Sequence, residues 1–312
     1  MKAGERQRRN RRRTAAMLFL CALVSLAGLS AVADAKKKKS KPVASTKSAS
    51  SPLAAGTSAT ATANCSGKTH TTGGGFTVAP NFTPPATGLR TLPTLDSPLG
   101  NKGWTATSAA YTNPASVGSL TAYARCEKNS AGKIAIRSSS SASLAGGVGQ
   151  SLVFNCPPGT HVISGGFGGD GPAALNSLAS FRIIVLQSQR TGPGQWTITA
   201  YNRTGAPTST LTGYAVCEFN AKGSSVSEVS SFVPVANDAR TVADPTCSKK
   251  KHVVSGGFLV SPLPPGTVPV IGVDETQPVG KRSWHTGLHE FPSFTLPAGS
   301  ALQAVAYCKN GS

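Results

Sequence analysis

Polar and apolar residues along this chain follow an alternating rhythm rather than a helical one. In Leu211-Thr212-Gly213-Tyr214-Ala215-Val216-Cys217, Leu, Gly, Ala and Cys share one face, and Thr, Tyr and Val the other. Gln195 to Tyr201 places Trp196, Ile198 and Ala200 on one side. Phe181 to Leu186 and His161 to Phe167 are β-branched or apolar runs bounded by Gly and Pro. Turn signals recur about every ten residues, and no stretch carries a sustained 3.6-residue period with caps. The pattern predicts short strands throughout and an all-β chain.

The same pattern returns three times. Cys65, Cys126, Cys156, Cys217, Cys247 and Cys308 are spaced so that each odd–even pair is 61 residues apart and each pair recurs after 91. His70, His161 and His252 each stand five residues after the first Cys of a unit. Gly74-Gly75-Phe76, Gly165-Gly166-Phe167 and Gly256-Gly257-Phe258 follow, and then one Trp per unit: Trp104, Trp196 and Trp284. Leu120 and Ala124, Leu211 and Ala215, and Leu302 and Ala306 precede the second Cys. The matches divide the chain into β-modules at 49–132, 133–223 and 224–312, each with about six strands. Among the fifteen pairings open to six cysteines, the parsimonious one closes each module on itself: Cys65–Cys126, Cys156–Cys217 and Cys247–Cys308. Such a loop stabilises by about 4 kcal/mol, which matters in a 91-residue unit with few large aromatic side chains. The Gly and Ala positions near the second Cys leave room for a bulky neighbour, and the Trp is expected to fill it over the disulfide. The expected architecture is three tandem disulfide-stapled β-sandwich-like modules. One pseudo-threefold, β-prism-like assembly is the alternative.

A disulfide packed on a Trp is an architecture shared with immunoglobulin-like sandwiches. The Trp lies farther from the first Cys than in that family, however, and Tyr123 and Tyr214 stand three residues before the second Cys rather than two. Residues from about 50 to 310 instead resemble repeated modules of uncharacterised exported proteins from high-GC bacteria. Those modules combine Cys-Pro-x-Gly, Gly-Gly-Phe, Gly-x-Trp and Ala-Tyr-Ala-x-Cys. Module 2 resembles them best, through Cys156-Pro157-Pro158-Gly159-Thr160 and Tyr214-Ala215-Val216-Cys217. The resemblance implies an exported β-module and no particular activity.

Charge is unevenly distributed. The whole chain carries 31 Lys+Arg against 12 Asp+Glu, a net +19. Residues 1–35 hold seven of the basic residues in a basic start, followed by an uncharged stretch from Thr14 to Ala33 and an Ala33-x-Ala35 site. These are the three parts of a cleavable signal peptide; an uncleaved N-terminal membrane anchor is the alternative. Cleavage leaves +14, and Lys36, Lys37, Lys38, Lys39 and Lys41 open a Ser/Ala/Thr-rich segment over 36–48. That segment is expected to be a solvated, disordered arm able to bind anionic surfaces such as cell-wall polymer or membrane headgroups. The remaining repeats are only mildly basic. Without interleaved aromatic and basic residues, nucleic acid is expected as a non-specific partner only.

Candidate chemistry is sparse. Three imidazoles suit zinc, so His70, His161 and His252 are the metal-ligand candidates. Tandem domains would keep them apart, and no carboxylate repeats beside them. His285, His289 and the Asp274-Glu275 pair occur only in module 3, and His285 and His289 do not follow the H-E-x-x-H order of zinc proteases. Gly-Gly-Phe lacks a following helix, so a β-bulge or a close backbone approach accounts for it better than a phosphate loop. No nucleophile elbow and no recurring carboxylate pair is present. The expectation is therefore an exported, non-enzymatic binding or structural protein of the cell envelope, without catalytic residues or cofactor, extracellular or held at the envelope by its arm. A lectin-like carbohydrate binder using the loops between Phe and Trp is the first alternative. A hydrolase with its site in one module is the second.

Overall fold

A computed structural model describes residues 44–80, 91–111, 117–128, 134–140, 143–170, 182–219, 226–235, 239–261, 271–290 and 299–310. The expected signal peptide and Lys36, Lys37, Lys38, Lys39 and Lys41 lie outside them. Module 1 forms β1 (Ala44–Ala54), β2 (Ser58–Asn64), β3 (His70–Ala79), β4 (Thr91–Leu99), β5 (Gly103–Ala110) and β6 (Val117–Glu127). Module 2 repeats the set as β7 (Ile134–Ser140), β8 (Gly149–Asn155), β9 (Thr160–Gly169), β10 (Ile183–Gly192), β11 (Gln195–Asn202) and β12 (Leu211–Phe219). Module 3 adds β13 (Ser227–Pro234), β14 (Arg240–Ala243), β15 (Lys251–Ser261), β16 (Ile271–Val279), β17 (Ser283–Glu290) and β18 (Ala301–Asn310). The fold is all-β, with three disulfide-stapled modules as expected. Strand β1 already begins at Ala44, pairing with Glu127 at the end of β6. The expected arm boundary at residue 48 is therefore corrected: residues 44–48, Lys47 among them, belong to the sheet because β6 offers them a full antiparallel partner.

Each module is two half-sheets face to face. In module 1 the orders are β1-β6-β3 and β4-β5-β2, and the other modules copy them. Cys65–Cys126, Cys156–Cys217 and Cys247–Cys308 staple the halves, with Cα separations of 5.6, 5.7 and 5.8 Å. Trp104, Trp196 and Trp284 are fully buried between them. Trp284 packs with Cys247, Cys308, Val253 and Ala306 in one cluster, the arrangement expected from the small residues near the second Cys.

The modules are not independent beads. Each half-sheet continues into one from another module, which closes three six-stranded sheets: β1-β6-β3-β16-β17-β14, β13-β18-β15-β10-β11-β8 and β2-β5-β4-β9-β12-β7. Module 1 joins module 3, module 3 joins module 2, and module 2 joins module 1. This cyclic closure is the pseudo-threefold prism, and it replaces the purely tandem arrangement.

The Gly-Gly-Phe strand makes the closure sterically feasible. A Cβ on Gly74, Gly165 or Gly256 would drive into the Trp of its own module. A Cβ on Gly75, Gly166 or Gly257 would strike the main-chain oxygen of Thr276, Asp96 or Ser188, each on the adjoining module. The phenylalanines then pair across the seams: Phe76 with Thr276, Phe167 with Asp96, Phe258 with Ser188. All three rings are buried, and Phe167 meets Phe258 edge to face at 6.5 Å. A bulge falls just before each Gly-Gly, at Thr72, Ile163 and Val254, as the sequence led us to expect.

Strand directions give the prism two unlike ends. The disulfides, the β2–β3 and β4–β5 turns and their counterparts lie at one, the cystine end. The connections after Ala79, Gly169 and Ser261, between Phe and Trp, leave the other, the loop end.

Candidate functional site

Alternation decides what gathers at the cystine end. Cys126, Cys217 and Cys308 point into their own modules, so the next residue of each last strand points the opposite way, toward the centre of the prism. Those residues are Glu127, Glu218 and Lys309, all buried. The Lys309 ammonium lies 2.8 Å from the Glu218 carboxylate and 3.3 Å from that of Glu127. His252 brings Nε2 to 2.5 Å from Glu127 Oε1. One charged cap thus ties all three modules together. Burial alone would raise the Glu127 carboxyl, but the His252 hydrogen bond and the Lys309 charge outweigh it, and Glu127 sits below the ordinary carboxylate range. Burial lowers Lys309, yet the two glutamates outweigh it and hold the ammonium above its usual value.

The three repeated histidines border this cap. His70 pairs across its ladder with Glu127, His161 with Glu218 and His252 with Lys309. The expectation that tandem domains keep them apart is therefore corrected, because closure brings the starts of β3, β9 and β15 to one end. His252 serves as a hydrogen-bond partner of a neighbouring module's glutamate. Among the described residues, no three His, Cys, Asp or Glu side chains are grouped so that they could hold a metal ion.

A second charged group belongs to module 3 alone. Counted from the Trp, Asp274, Glu275, His285 and His289 occupy positions held in module 1 by Thr94, Leu95, Thr105 and Ala109, and in module 2 by Leu186, Gln187, Thr197 and Tyr201. Arg240 Nε donates to Asp274 Oδ2 at 3.2 Å, and the same guanidinium pairs with Glu275. His285 lies between two carboxylates, Nδ1 2.5 Å from Asp244 Oδ1 and Nε2 2.7 Å from Glu275 Oε1. His289 Nδ1 is 3.6 Å from Asp274 Oδ2. Burial raises Asp274, but His289 and Arg240 outweigh it and hold the carboxyl low. Thr77 of module 1 donates to Glu275 across the seam at 3.3 Å. Asp274, Glu275 and His289 are buried, and Asp244 is the exposed member. The set is a lock in which each basic side chain lies against carboxylates of its own module.

The sequence had marked His285, His289 and Asp274-Glu275 as peculiar to module 3, but alternation alone does not show that β14, β16 and β17 bring them together with Arg240. Glu127, Glu218 and Lys309 escaped notice. Their signal is there: a charged residue directly after every second Cys, inside a strand, where solvent is not expected on both faces. Chain comparison adds no relative to this geometry. The chain matches no family model, and it matches none of the curated proteins.

Proposed function

We propose that this chain is an exported, non-enzymatic binding or structural protein of the cell envelope, held by its polybasic arm and displaying the loop end of a rigid prism. The observation that carries the reading is the opposition of the two ends. In sequence the Lys36–Lys41 run leads into Ala44, which pairs with Glu127 at the cystine end. The three Phe-to-Trp connections leave the opposite end. Loops on a rigid scaffold are the usual carriers of recognition. Three disulfides suit an oxidising compartment outside the cytoplasm. Full burial of the three Trp residues removes them as sugar-stacking platforms, which leaves the loop end as the basis for a carbohydrate-binding reading.

Cell fractionation tests the proposal. The protein should appear in the envelope fraction, be released by high salt, and shift in part to the medium when Lys36, Lys37, Lys38, Lys39 and Lys41 are changed to Ser. A cytoplasmic protein with reduced cysteines would overturn the reading, as would envelope retention indifferent to both salt and the arm.

A further inference from the structure

We propose that the cystine end of the prism is itself a membrane-facing surface that docks on an anionic phospholipid bilayer. The inference rests on the envelope reading above but concerns a part of the molecule that reading does not use. Lys68 on the β2–β3 turn, Lys102 on the β4–β5 turn, Lys128 after β6, Lys249 and Lys250 before β15, and Lys281 on the β16–β17 turn are all exposed. They come from modules 1 and 3, and the turns are tied to one another: Lys102 Nζ donates to the Gly67 carbonyl at 3.2 Å, and Arg125 of module 1 donates to the Lys281 carbonyl at 3.3 Å. The acidic groups at this end are already engaged. Glu127 and Glu218 are buried against Lys309, Glu228 pairs with Arg190 at 3.1 Å, and Asp244 is hydrogen-bonded to His285. The lysines therefore face outward as a net positive field.

A second observation separates a bilayer from a purely ionic partner. Three large apolar side chains stand exposed among these lysines: Leu99 at 53%, Phe219 at 41% and Val279 at 47%. Each ends its strand at the cystine end, β4, β12 and β16 respectively. Phe219 occupies in module 2 the place that Lys128 holds in module 1. Phosphate-bearing wall polymers reward the cations but offer the apolar tips nothing. A bilayer interface takes both, with lysines at the headgroups and apolar side chains just beneath. The lysines and the apolar tips thus share one end of the prism, opposite the loop end.

Vesicle co-sedimentation of the mature chain, residues 36–312, tests this, using one part phosphatidylglycerol to two parts phosphatidylcholine beside pure phosphatidylcholine. Inorganic polyphosphate serves as the non-lipid polyanion. Three variants are compared, with thermal melts to show that each is folded: the five arm lysines to Ser; Lys68, Lys102, Lys249, Lys250 and Lys281 to Ser; and Leu99, Phe219 and Val279 to Ser. The arm variant should still bind anionic vesicles. The turn variant should lose about tenfold or more in apparent affinity. The tip variant should lose vesicle binding while keeping its affinity for polyphosphate. Loss of all binding in the arm variant, with the other two unchanged, would overturn the docking face and leave the arm reading standing. Equal vesicle binding by the tip variant and the parent would overturn the bilayer as partner, as would binding to polyphosphate without binding to vesicles. Failure of the parent to bind vesicles would also sink the docking face, while the fractionation result judges envelope attachment separately.

Discussion

Asp96, Ser188 and Thr276 each do two things at once. Each main chain meets the phenylalanine of another module at a sheet seam, and each side chain accepts the indole N–H of the Trp eight residues later: 2.6 Å for Trp104, 3.2 Å for Trp196 and 2.9 Å for Trp284. Two modules meet the buried indole with a hydroxyl, and one uses a carboxyl. Burial pushes Asp96 up to about 8, against the lowering effect of the Trp104 hydrogen bond. In the unfolded chain the same group titrates near 4, so the folded state binds its proton more tightly. The contribution of Asp96 to stability is therefore fully present below about pH 4 and declines by about 1.4 kcal/mol per pH unit as the pH rises toward the folded value. Replacing Asp96 by Ser, the residue of module 2, keeps an acceptor for Trp104 and removes the buried acid. Thermal melts should show Asp96→Ser above the parent at pH 8, with the difference shrinking toward pH 4. An unchanged pH dependence would show that Asp96 is ionised and well solvated in the fold.

At the scale of the strand, the last element of each module reads in opposite directions on its two faces. Alternation shows the inward face plainly: Leu120, Ala122, Ala124 and Cys126 are all buried, as are their counterparts Leu211, Ala215 and Cys217, and Leu302, Ala304, Ala306 and Cys308. The outward face carries Thr121, Tyr123, Arg125 and Glu127 in module 1, a polar set that does not by itself name its neighbour. Its final position faces the other modules, and a period of two does not distinguish solvent from a neighbouring module. Lys309 is the test of what that position does. Lys309→Met removes the ammonium held between the buried Glu127 and Glu218 carboxylates, a loss of about 3–5 kcal/mol in urea denaturation at neutral pH. The pH trend should also reverse. In the parent, the depressed Glu127 contributes stability above its unfolded value, about 4.3, and that contribution disappears as the pH falls through the folded one. In the variant, acid neutralises a repulsive pair and should restore part of the loss. Adding Glu218→Gln to Lys309→Met should recover stability at neutral pH, and no recovery would mean the cap is not the source of the deficit.

For the whole molecule, the cysteine arithmetic and the Gly-Gly-Phe, Trp and His spacings made the three modules, the strand content and the disulfides legible, because each is set within 91 residues. The exchange of half-sheets was not legible, because its cause is an absence: one Cβ missing at Gly75, Gly166 and Gly257, which any close backbone approach would explain equally well. Only the fold shows that the approaching backbone belongs to another module. Closure of this kind has a consequence for a module on its own. Residues 133–223 expressed alone would leave β9 without β4 and β10 without β15, exposing two unpaired edges and the seam residue Phe167. A folded monomer is not expected. The fragment nevertheless carries both halves of a seam, since Phe167 of one copy can meet Ser188 of the next as Phe258 does in the intact chain. Three copies would rebuild the prism as a symmetric trimer, with three Glu218 carboxylates around the axis where the parent has Glu127, Glu218 and Lys309. That repulsion should hold the fragment unfolded at neutral pH. Glu218→Gln should convert it into a trimer whose far-ultraviolet circular dichroism and sedimentation depend together on protein concentration. A stable, concentration-independent folded monomer from either fragment would show that the module suffices by itself and that the shared sheets are dispensable.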